Sequence, residues 1–164
     1  MGEALRNPLS VQTTDKYGNS VGGVPVRFQV VSGGASLSGN PSILVTSDPA
    51  GMASASVTLS QETGASIIEA TSAYLEGSPI TFTAFAQSVM ATNIEKFGGD
   101  NQKGRLGQLL VDPLMVVVLD QYGNRVPATS VYFTMESGGG SIVDPQPVVS
   151  DSNGIASVWF IAAS

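Results

Sequence analysis

The chain contains no cysteine and no histidine. Their absence excludes Ser-His-Asp and Cys-His nucleophilic sites, zinc centres built from imidazole and thiolate, and any histidine switch near neutral pH. Carboxylate, Ser-Lys and calcium chemistry stay open. Charge is also scarce, at 12% of residues, which is about half the usual share. With 7 Lys plus Arg against 13 Asp plus Glu, the formal net charge is −6. Nucleic-acid binding needs cations that neutralise phosphates, and no basic cluster exists, so no nucleic-acid partner is expected. Long apolar runs are missing too. The run "LMVVVL" at 114–119 is far too short to span a bilayer, so no membrane insertion by this segment is expected. The start, "MGEALRNPLS", lacks the apolar stretch of a signal peptide, which places any export signal and anchor outside this chain. Lack of cysteine does not fix a compartment, because larger exported domains with adequate cores fold without disulfides.

What the 164 residues do contain is a repeat. Placing residue n over residue n+105 aligns Gly2, Leu5, Pro8, Leu9 and Val11 with Gly107, Leu110, Pro113, Leu114 and Val116. Asp15, Tyr17, Gly18, Asn19 and Val21 then fall on Asp120, Tyr122, Gly123, Asn124 and Val126, and Val26 and Phe28 fall on Val131 and Phe133. After a two-residue deletion, Ser47, Asp48, Gly51 and Ala53 match Ser150, Asp151, Gly154 and Ala156. A period near 105 residues is too long for a helical solenoid and suits a β-sandwich of roughly 100 residues.

Local pattern agrees with that class. "ASASVTLS" at 53–60 alternates strictly, with Ala53, Ala55, Val57 and Leu59 on one face, as a half-buried strand requires. "VPVRFQV" sets Val26, Phe28 and Val30 together, and "ITFTAFA" does the same for Ile80, Phe82, Ala84 and Ala86. Gly, Pro and Asn clusters punctuate these runs, and no useful window has a helical period. The expectation is all-β: two tandem sandwich copies, residues 1–90 and 91–164. Residues 92–106 have no counterpart before Gly2, and residues 62–91 have none after Ser164. Copy one is therefore expected to lack its first strand and copy two its last strands. They are either cut from a longer array or supplied by another chain through strand complementation, which would make a homo-oligomer or a self-assembling filament subunit.

The spaced motifs "GDNQ", "P-L-x-V", "D-x-Y-G-N-x-V", "V-x-F", "SGG" and "SD-x-x-G-x-A" resemble the bacterial Ig-like domains, group one, of the invasin and intimin family of adhesins. The resemblance covers nearly the whole chain. It implies an immunoglobulin-like β-sandwich at the bacterial cell surface or outside the cell, strung in arrays that act as stalks. Its implied partners are neighbouring Ig-like domains of the same array, with a host-surface protein or glycan reached through a separate distal domain. The implied role is non-catalytic spacing and presentation, with no cofactor. The opposing reading is a carbohydrate- or protein-binding accessory module of a secreted protein.

Candidate sites are few. "DKYGN" at 15–19 and "DQYGN" at 120–124 each offer one carboxylate and one amide, against the six to eight oxygens calcium takes. They read as turns, in which Asp15 and Asp120 accept local backbone N–H groups while Gly18, Asn19, Gly123 and Asn124 tolerate positive φ. Tyr17 is expected over the end of the core with its hydroxyl at the water. Asp48 and Asp151 read as further turns. The glycines at 33–34 and 138–140 lack the following helix and Lys-Ser or Lys-Thr pair of a phosphate loop. Carboxylates suited to glycoside hydrolysis, such as Glu62, Glu69 and Glu76, have no aromatic-lined cleft predicted around them. One departure between the copies stands out. By strand parity Tyr132 and Trp159 point away from the core of one sheet, where copy one has Arg27 and Ser56, so they form a candidate binding surface.

Overall fold

The computed structural model describes residues 2–73 and 75–162, and every regular element among them is a β-strand. It divides into two compact units, Met1–Gln87 and Ser88–Ser164.

The first unit holds β1 (Leu9–Gln12), β2 (Pro25–Ser32), β3 (Ser36–Leu37), β4 (Ser42–Thr46), β5 (Met52–Ala55), β6 (Val57–Thr58), β7 (Gly64–Thr71) and β8 (Ile80–Ala86). One antiparallel sheet runs β4-β2-β7-β8. The pairs β1–β5 and β3–β6 form the facing layer. Alternation dictates this arrangement: Val26 and Phe28 of β2, Ile68 and Ala70 of β7, and Ala84 of β8 meet Val11, Leu37, Ala53, Ala55 and Val57 in one core. Phe28, Leu37 and Ile68 are wholly buried. Two apolar faces closing on one another in this way make an immunoglobulin-like sandwich. The stretch 53–60 is not a single strand. It splits at Ser56, so that β5 pairs with β1 and β6 with β3. The alternating face survives the split, because the two pieces serve the same core.

The second unit holds β9 (Ala91–Gly98), β10 (Leu114–Asp120), β11 (Ser130–Val131), β12 (Gly140–Ile142), β13 (Val148–Val149), β14 (Ile155–Val158) and β15 (Phe160–Ala162). Here β10 lies between β14 and β9, whereas its repeat counterpart β1 pairs with β5 alone. The counterpart of β2 shows the opposite change. β2 has eight residues and two neighbours, while β11 has two residues and pairs only with β13. The core shrinks accordingly. Among the described residues, eleven buried apolar side chains lie in the first unit and six in the second. Phe133 is only half-buried, although its counterpart Phe28 is fully enclosed.

Candidate functional site

Four aspartates share one local geometry. Asp15 Oδ1 accepts the N–H groups of Tyr17 at 2.8 Å and Asn19 at 2.9 Å, and its Oδ2 accepts Asn19 Nδ2 at 3.0 Å. Asp120 repeats this with Tyr122 N and Asn124 N, both at 2.9 Å, and Asn124 Nδ2 at 3.0 Å. Asp48 takes Ala50 N and Met52 N at 2.8 and 2.9 Å, and Asp151 takes Asn153 N and Ile155 N at 2.8 and 2.9 Å. In each case the carboxylate accepts from residues two and four further on, closing the turn that begins at the aspartate.

Those donors set the electrostatics. The Asn19 side chain, followed by the Asn19 and Tyr17 amides, holds the Asp15 carboxyl below its ordinary pKa. For Asp120, burial pushes upward, but the Asn124 side chain and the Asn124, Tyr122 and Val89 amides outweigh it, and the pKa is lowered. Asp151 is lowered chiefly by the Ile155 amide. A carboxylate ringed by N–H groups has spent its lone pairs on partial positive charges, the reverse of a cation cage. Among the described residues, no three acidic side chains converge as metal ligands would.

The two "D-x-Y-G-N" turns differ in surroundings. Asp15 is exposed, while Asp120 is buried, and its Oδ2 also accepts the Val89 amide, just before β9, at 3.2 Å. Tyr17 departs from the sequence expectation. It is 78% exposed and does not lie over the core; its ring sits 4.9 Å from Lys16 Nζ instead. The turn's hydrogen bonds hold its backbone, and nothing in the turn directs its side chain inward.

Two buried serines matter more than sequence reasoning suggested. Ser47 Oγ donates to the Val21 carbonyl at 3.1 Å and accepts Val24 N at 3.0 Å. Ser150 Oγ makes the matching pair with the Val126 carbonyl at 3.0 Å and Thr129 N at 2.9 Å. In the first unit Thr13 Oγ1 joins the cluster, donating toward the Val21 carbonyl at 2.6 Å, while Val118 takes its place in the second. These hydroxyls satisfy backbone groups that burial would otherwise strand. The identity of Ser47 and Ser150 under the repeat was the available signal.

The two aromatic side chains belong to different ladders. Tyr132, 70% exposed, follows β11, whose partner is β13. Trp159, 40% exposed, lies between β14 and β15, which pair with β10 and β12. The two rings therefore sit on different strand pairings and not on one sheet. The backbone fixes Trp159 firmly: its N–H donates to Asp144 Oδ2, and its carbonyl accepts Val143 N at 2.9 Å.

No protein-family model matches the chain, and no curated protein matches it. Similar solved structures do exist. The D0-D1 domain of intimin is 22% identical with a TM-score of 0.41, covering 97% of this chain and 78% of that one. Invasin, described as a bacterial integrin-binding protein, is 16% identical with a TM-score of 0.43, covering 97% of this chain and 31% of its own. The Yersinia pseudotuberculosis adhesin InvE is 19% identical with a TM-score of 0.41, covering 98% of this chain and 50% of its own. The chain thus spans about a third of the invasin structure and half of that of InvE.

Proposed function

We propose that this chain is a non-catalytic structural module of a bacterial surface or secreted adhesin, its two immunoglobulin-like copies spacing and presenting a binding domain located elsewhere. The observation that carries the reading is the duplicated turn geometry. The same aspartates, glycines and serines recur at the same repeat positions, and in both copies their polar atoms are committed to backbone N–H and C=O groups. Chemistry written twice for holding loops describes a scaffold unit. The spaced sequence motifs point to the same kind of domain. Sandwich sheets suit the task, because strands distant in sequence are joined by many backbone hydrogen bonds.

A second reading rests on Tyr132 and Trp159, which expose aromatic surface where the first copy has Arg27 and Ser56. Under that reading the chain is itself a carbohydrate- or protein-binding module. A glycan array together with a host-cell binding assay separates the two. The spacer predicts no binding by the chain alone. Saturable binding lost in Trp159→Ala or Tyr132→Ala would replace it with the binding module.

A further inference from the structure

We propose that Asn153 and Gly154 form a self-modifying pair in the second unit, in which succinimide chemistry converts Asn153 to isoaspartate and loosens the turn that leads into β14. The Gly154 backbone nitrogen gives its proton to solvent base and attacks Asn153 Cγ. The new N–Cγ bond closes a succinimide ring, and the side-chain nitrogen leaves as ammonia. Water then opens the ring at either carbonyl. Opening at Cγ leaves aspartate, and opening at the main-chain carbonyl leaves isoaspartate, whose backbone runs through Cγ. One water is consumed and one ammonia released, and nothing is oxidised or reduced.

The two residues stand side by side for different reasons. The fold requires Gly154: its φ is +70°, and a Cβ there would lie 2.9 Å from Val126 N. The first copy has Gly51 at the same place, with φ of +78°. The fold does not require Asn153. Its counterpart is Ala50, in a turn whose aspartate accepts the same two backbone N–H groups. Asn153 is exposed, and it is the one asparagine of the chain that precedes a glycine. A glycine nitrogen attacks with least hindrance, because no Cβ crowds it. The reactive pair is therefore a property of the second copy alone.

The turn also holds the reaction back. Gly154 N–H donates to the Asp151 carbonyl at 2.9 Å, Asp151 Oδ1 accepts the Asn153 N–H at 2.8 Å, and the Asn153 side chain is a further donor to that carboxylate. Both reacting groups are tied to Asp151, so ring closure waits on local opening of the turn. Once formed, isoaspartate adds a methylene to the main chain between Asn153 Cα and Gly154 N. The Gly154 carbonyl accepts Val118 N–H at 2.8 Å, Ile155 N–H donates to Asp151 Oδ1 at 2.9 Å, and Ile155 pairs with Val117 of β10. A lengthened backbone cannot keep all three. Either product also sets a new carboxylate beside Asp151.

The test ages the intact chain in warm, mildly alkaline buffer and follows peptide mass spectra, ammonia release and the urea midpoint of Trp159 fluorescence. Isoaspartate and aspartate should both accumulate at position 153, with isoaspartate in excess, and the midpoint should fall as they do. Asn153→Ala, which copies the first unit, should fold, release no ammonia from this turn and keep its midpoint on ageing. Asp151→Ala should age several-fold faster than the parent. Asn153→Asp carries the new charge on an unaltered main chain, so its midpoint should lie above that of the aged protein. The proposal fails if position 153 stays amidated, if aspartate is the sole product, if Asp151→Ala ages no faster, or if the aged protein matches Asn153→Asp in midpoint. None of these outcomes bears on the spacer reading, which has its own binding assays.

Discussion

At the scale of single residues, the aspartate turns govern the response to acid. Asp15, Asp100, Asp120 and Asp151 have folded pKa values below the ordinary range, Asp100 through its Lys96 partner. A depressed carboxylate stabilises the fold above its unfolded pKa of about 3.9, and that contribution is lost as pH falls through the lower folded value. Urea midpoints should therefore be nearly flat from about pH 7 to 5 and fall below about pH 4. Asp120→Asn should be less stable at neutral pH and less sensitive to acid than the parent. An unchanged acid slope would remove Asp120 from this account. The turn glycines make a second test. Gly18 and Gly123 have φ of +87° and +83° with open space around a built Cβ, so Gly18→Ala and Gly123→Ala should cost only backbone strain, about 1–2 kcal/mol. Gly51 has φ of +78°, and a Cβ there would lie 2.6 Å from the Thr13 carbonyl oxygen. Gly51→Ala should cost more than either, as read from denaturation midpoints. The turns were legible in the sequence because Asp, Gly and Asn act within five residues. The fate of Tyr17 was not, since its side-chain direction depends on what lies beyond the turn.

At the scale of strands, period-two alternation located the inward faces of β2, β5, β6 and β7, and it did so because side-chain direction in a strand is a local property. Which edge each strand presents is not local. The split at Ser56 and the short β11 follow from which neighbours are available, so neither could be read from the alternation itself. The counterparts Phe28 and Phe133 turn this into a measurement. Phe28, on β2 in the middle of its sheet, is fully buried in the core, and Phe28→Ala should cost about 3–5 kcal/mol. Phe133 is half-buried, and among the described residues β11 has β13 as its one strand partner, so Phe133→Ala should cost about 1–2 kcal/mol by the smaller apolar area it loses. Equal losses would mean that the second copy encloses its phenylalanine as fully as the first. The repeat did show from sequence that residues 62–91 have no second version.

For the molecule as a whole, the unequal cores separate the two units in stability. Among the described residues the second unit has roughly half as many buried apolar side chains as the first, and its β11 has two residues where β2 has eight. Hydrophobic burial is the main favourable term in folding, so the second unit should unfold at lower denaturant. The sequence supplies a probe for it, because Trp159 is the single tryptophan and belongs to that unit. Tryptophan fluorescence excited at the red edge should therefore report the second unit alone, while far-ultraviolet circular dichroism reports the strands of both. The fluorescence midpoint should lie below the main dichroism midpoint, and Phe28→Ala should lower the dichroism transition while leaving the fluorescence midpoint in place. Coincident transitions, or a fluorescence midpoint that follows Phe28→Ala, would show that the two units unfold as one cooperative body and that the smaller core draws its stability from the larger.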